Sequence, residues 1–137
     1  MKTISATKGE FVNLINGLFT VQELKGKKFS LAVSKNLTIL KKELKPLESA
    51  GVPSEEFMVL AKQVNELANE NSTDSKEKIE KLEADNKELV DARRIQMDEV
   101  TDLMSEETSI ELQLMAENDL PEDITAKQIN SLEKIIE

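Results

Sequence analysis

Hydrophobic positions keep helical spacing over most of this chain and abandon it after residue 107. Phe11, Leu14, Ile15 and Leu18 recur at i, i+3, i+4 and i+7, one face of a helix. Thr7 precedes that face and Glu10 follows three residues on. The pair reads as a capping box, in which each side chain satisfies the other residue's backbone N–H. Gly17 weakens this helix by roughly 1 kcal/mol relative to Ala. Gly26 is a stop signal, which puts the last turn near Leu24. A second helix is predicted from Phe29. Val33, Leu37, Leu40, Leu44 and Leu47 are spaced 4, 3, 4, 3, an a/d stripe over about two heptads. Pro46 lies inside it and has no N–H to give, so the helix must kink or end near Lys45. Gly51-Val52-Pro53 breaks the chain. Ser54 caps the next helix, and Glu55 and Glu56 suit its positive end. Phe57, Leu60 or Ala61, Val64 and Leu67 form its apolar stripe.

The polar run Asn69–Asp74 reads as the tip of a hairpin. Asp74 with Glu77 is a second candidate capping box. From Ser75 helical spacing continues to Ser105, about 45 Å at the helical rise. Its stripe is Ile79, Leu82, Asn86, Leu89, Arg93, Gln96, Val100 and Leu103. Polar residues interrupting a seam weaken it but fix register and partner choice. This stripe is longer than the Phe57–Leu67 stripe facing it, so part of it is left for another chain or a second copy. Residues 108–115 then alternate, with Ile110, Leu112 and Leu114 on one face. That is a strand, and its natural partner is Lys2–Ala6. A lone pair of strands is marginal unless helices cover it. Asn118–Asp123 is a turn. Thr125 with Gln128 is a third capping box, opening a last helix with Ile129, Leu132, Ile135 and Ile136 on one face. The expected fold is mainly α: a long antiparallel helical hairpin with N-terminal helices and a two-stranded β element joining 2–6 to 108–115. One domain is expected, with a hairpin arm at 54–105 and a base made of 1–50 and 106–137.

Composition narrows the chemistry. Four Phe are the only aromatic residues, so Leu, Ile, Val and Met fill the core. There is no Cys, which excludes disulfides and thiolate metal sites. There is no His, which removes the commonest general base and the usual zinc ligand. The four glycines stand apart at 9, 17, 26 and 51 and build no phosphate loop. No cofactor, metal or catalytic residue is expected. The apolar runs are too short to span a membrane. The net charge of −9 hides a split. Residues 1–50 carry nine Lys against four Glu, a net of +5. Residues 51–137 carry nine Lys or Arg against 23 acids, a net of −14. Lys25, Lys27 and Lys28, and again Lys41, Lys42 and Lys45, are basic clusters that offset the acids within one fold. With no interleaved aromatic set, direct nucleic-acid binding is not expected. Between Arg94 and Lys127 stand ten acids and no base, from Asp98 to Asp123. Such a tract could imitate a phosphate backbone.

The order of parts resembles a family of small proteins of tailed phages and prophages. The resembling residues are Lys8-Gly9-Glu10, then Lys28-Phe29-Ser30-Leu31-Ala32-Val33-Ser34-Lys35-Asn36. The Glu-rich 75–105 helix, the 107–115 strand and the closing Leu120–Thr125 to Ile135 segment follow in the family's order. The resemblance implies a phage origin, a location in host cytoplasm or virion, and a part in virion assembly or in interference with a host process; it carries over no established activity and no catalytic residues. The expected function is a non-catalytic interaction protein, either a minor virion or assembly component or an assembly chaperone, with viral or host protein partners. The alternative is an inhibitor of a host or defence protein, acting through the acidic 98–123 surface. Candidate partner-binding residues are Asn86, Arg93, Gln96, Val100, Leu103, Glu106 and Glu107.

Overall fold

A computed structural model describes residues 1–137. The elements run β1 (Lys2–Thr7), α1 (Lys8–Thr20), α2 (Lys27–Glu43), α3 (Lys45–Ala50), α4 (Glu55–Glu70), α5 (Ser75–Asp85), α6 (Lys87–Met104), β2 (Glu107–Leu112) and α7 (Ala126–Ser131). The fold is mainly α with a small two-stranded antiparallel sheet, β1 against β2. Two compact units emerge: Met1–Glu48 with Asp102–Glu137, and Ser49–Thr101.

The first unit holds the whole main core. Phe11, Leu14, Leu18, Phe29, Leu37, Leu40, Leu112, Leu132 and Ile135 belong to one buried cluster. Burying each such side chain fully is worth about 1.5–3 kcal/mol. The sheet register pairs Lys2 with Leu112, Ile4 with Ile110 and Thr7 with Glu107. Ala6, Ile110 and Leu112 turn inward, and helices contact both strands. The capping box at Thr7 and Glu10 is formed, with N···O distances of 3.1 and 3.2 Å. So is the box at Thr125 and Gln128, and the Gln128 amide also donates to the Thr20 carbonyl at 3.1 Å.

Boundaries moved where tertiary contacts override local signals. Helix α1 ends at Thr20, not near Leu24, because Val21 and Leu24 take tight turn bonds to Leu18 and Val21. Gly26, at φ +136°, opens α2 two residues before Phe29. Pro46 acts as expected: α2 stops at Glu43 and α3 follows. The strand stops at Leu112 rather than 115. Beyond it Asn36, fully buried on α2, takes the place of a strand partner. Its Nδ2 donates to the Gln113 carbonyl at 2.9 Å, and its Oδ1 accepts from the Gln113 amide at 2.7 Å. Met115 then bridges to Ile136, so the expected last helix is cut to six residues and a 3-10 turn at Glu133–Ile135.

Gly17 has a packing reason that outweighs its helix cost. A Cβ there would lie 2.7 Å from the Ser131 hydroxyl and 2.9 Å from the Ser131 Cβ, so α1 and α7 touch backbone to side chain. Gly17→Ala should therefore destabilise the protein by about 1–3 kcal/mol, although helix propensity alone favours Ala. Denaturant unfolding checks the sign, and adding Ser131→Gly should restore part of the loss. Asn36→Leu strands two partly buried backbone groups of Gln113 and should cost about 1–3 kcal/mol in the same assay.

Candidate interaction surface

The second unit is an arm of thin packing. Helices α4 and α5 pack together, joined through a tip at Asn71–Asp74. Asn71 ends α4 in the left-handed region, at φ 48°. The capping box expected at Asp74 and Glu77 does not form. Ser72 competes for Asp74: its hydroxyl donates to the Asp74 carboxylate at 2.7 Å, and its amide donates to the Ser75 hydroxyl at 3.1 Å. That hydroxyl contact, and then the Lys78 charge 3.5 Å away, hold the Asp74 carboxyl below the usual carboxylate range.

The helix expected to run unbroken from Ser75 to Ser105 breaks at Asn86. The Asn86 side chain donates back to the Leu82 carbonyl at 2.9 Å. Its backbone amide makes only a tight bond to Glu83, and α6 restarts at Lys87. A side chain competing for its own helix's carbonyls is a known cause of a bend.

Arg93 and Gln96 are engaged inside the unit. Gln96 Nε2 donates to the carbonyls of Ala50 and Val52, at 2.9 and 2.7 Å. Arg93 Nη1 donates to the Gly51 carbonyl and to Gln96 Oε1, both at 2.9 Å. The Arg93 guanidinium also stands 5.6 Å from the Phe57 ring centre. The polar interruptions of the stripe thus pin the 50–52 turn to α6, and Val100 is buried.

The seven candidate residues fall in both units. Asn86, Arg93, Gln96 and Val100 lie in the arm, whereas Leu103, Glu106 and Glu107 belong to the first unit. There Glu106 pairs with Lys8, its carboxylate 2.9 Å from the ammonium and its carbonyl accepting from the Lys8 amide. Glu107 opens β2 opposite Thr7. The acidic tract is spread over the end of α6, over β2 and over the 3-10 turn at Glu117–Asp119, not along one rod. No three carboxylates converge on a metal-sized space. No helix is long and apolar enough to cross a membrane.

Among its many exposed charges the arm also exposes apolar side chains. Leu60, Ser75 and Val100 are its buried residues. Phe57, Val64, Leu67, Ile79, Leu82 and Leu89 are half-buried, and Met58, Val59 and Met97 are open. The sequence held a sign of this: Phe57-Met58-Val59-Leu60-Ala61 is apolar at five consecutive positions, too wide for one helix stripe.

Removing the Gln96 amide should free the 50–52 turn without unfolding the first unit, whose core it does not touch. Gln96→Ala is expected to speed amide hydrogen exchange in the 50–57 segment while leaving the α1 and α2 amides protected. Unchanged exchange there would remove Gln96 from this role.

No family model, curated protein or solved structure matches the chain.

Proposed function

We propose that this chain is a non-catalytic protein–protein interaction protein, phage-encoded, serving as a minor virion or assembly component or as an assembly chaperone. The observation that carries the reading is the contrast between its two units. The first buries a contiguous core. The second leaves Met58, Val59 and Met97 open on helices whose inward stripe is itself only half-buried. Single exposed apolar residues are ordinary, but several on an arm with so little buried interior are side chains that gain by being covered. Covering one such side chain fully is worth about 1.5–3 kcal/mol.

The arm also states the chemistry of its partner. It carries seven Lys or Arg against thirteen acids, a net of −6. An apolar patch with a basic rim suits it. The resemblance to small phage proteins supplies the setting, a viral or host protein met during particle assembly. Composition supports a non-enzymatic role, since the usual imidazole and thiol chemistry is missing from the residue set.

Affinity capture from phage-infected cells, read by mass spectrometry, tests the proposal. The parent chain should retain a virion or assembly protein. Met58→Ser, Val59→Ser and Met97→Ser combined should weaken that retention by roughly tenfold or more while the helical circular dichroism stays intact. Equal retention by the triple variant would remove the arm face from the interaction.

A further inference from the structure

Helix α2 carries its apolar residues inward, through Phe29, Val33, Leu37, Leu40 and the neighbouring Asn36. Its opposite pole carries Lys28, Leu31, Lys35 and Thr38, spaced 3, 4, 3, all exposed. Leu31 is 61% exposed, with a lysine a turn away on each side. Helix α6 has a counterpart on the side away from its Leu89–Arg93–Gln96–Val100 seam. There Glu88, Asp91, Ile95 and Asp98 are also spaced 3, 4, 3, and Ile95 is 57% exposed. Each stripe is one open aliphatic residue flanked by charges of one sign, basic on α2 and acidic on α6. Lys28, Lys35, Glu88 and Asp98 make no ion pair, and Asp91 meets only Arg94, at 3.3 Å on its own helix.

Set antiparallel, the two stripes match position by position. Lys28 meets Asp98, Leu31 meets Ile95, Lys35 meets Asp91 and Thr38 meets Glu88. The spacing from Lys28 onward is the spacing from Asp98 backward, so every position stays in step over about 15 Å at the helical rise. The partner that fits the α2 stripe is therefore printed in the chain itself.

We infer that the protein self-associates by laying the outer face of α2 from one copy against the outer face of α6 from a second copy, antiparallel, with Leu31 on Ile95 between two ion pairs. One such seam is small against the roughly 1,200–2,000 Å² of a stable interface, so the association is weak and concentration-dependent. Reciprocal use of both stripes closes a two-fold dimer, and one-sided use builds open chains. This contact uses neither Met58, Val59 nor Met97 and stands apart from the docking proposed for them.

Sedimentation equilibrium on the full chain, at concentrations up to about 1 mM, reads the result directly. The mean mass should rise with concentration, and more steeply at low salt because exposed pairs are screened. Lys28→Glu with Lys35→Glu in one variant places acid against acid. Asp91→Lys with Asp98→Lys in another places base against base. Each variant alone should self-associate roughly tenfold more weakly or worse, with unchanged circular dichroism. An equimolar mixture should recover association, because each variant's stripe then meets the opposite charge. A parent that stays monomeric, variants that associate like the parent, or a mixture that fails to recover would overturn the inference.

Discussion

The β1–β2 ladder is the constraint on which the rest depends. It joins residues 2–7 to residues 107–112, so nearly the whole chain between them is a closed loop. Closing a loop of that length costs on the order of 4 kcal/mol, and an isolated pair of strands is marginal in water. The ladder persists because it is covered. Ala6, Ile110 and Leu112 point into the cluster built by α1, α2 and the C-terminal segment. Asn36 then carries the pairing one residue further, supplying from a side chain the donor and acceptor that a third strand would have given Gln113. So distant a pairing slows folding, since long-range contacts are rewarded only after the closure entropy has been met.

Stability is unevenly shared as a consequence. The unit that contains the ladder contains the core, and the 49–101 unit is held largely by hydrogen bonds. Those bonds are identifiable: the Ser54 cap on α4, the Ser72–Asp74–Ser75 turn, and the Arg93 and Gln96 bonds to three carbonyls of the 50–52 turn. Hydrogen bonds of this kind net about 0.5–1.5 kcal/mol each. They fix the course of the backbone without burying apolar area. An arm built that way opens locally at lower cost than the core does, and its apolar face stays accessible to a partner.

Signals that act within four residues were legible in the sequence. The boxes at Thr7 and Thr125, the Ser54 cap and the Pro46 break are all present. The a/d stripe from Val33 to Leu47 is buried throughout. The pairing of the first segment with the 107–112 strand was readable because alternation identified one strand and residues 2–6 offered it a partner. Failures came where a neighbour outcompeted the local signal or where the partner was far away. Ser72 took the Asp74 carboxylate from its capping role. Asn86 turned on its own helix. Arg93 and Gln96 looked like flaws in a seam because their partners lie 42 to 46 residues upstream. Gly17 looked like a helix defect because nothing local announces Ser131. The candidate residues came from a stripe drawn through 79–103 and from the acids just beyond it, and nothing in that spacing marks the division between units that falls within α6.

The charges follow the same division between local and distant. The lysines of the first fifty residues were expected to offset the C-terminal acids inside the fold. Lys8 does so with Glu106, but no lysine of α2 forms an ion pair. Folding loses little by this, because an exposed pair is worth only about 0.2–1 kcal/mol once side-chain entropy and solvent screening are counted. A chain with 27 acids and 18 bases nevertheless has ample means to neutralise such a row. Leaving it open keeps a directional field on one helix face. Fields of that kind govern encounter rate and choice of partner more than they govern fold stability. The unpaired face of α2 is therefore better understood through association than through the interior it covers.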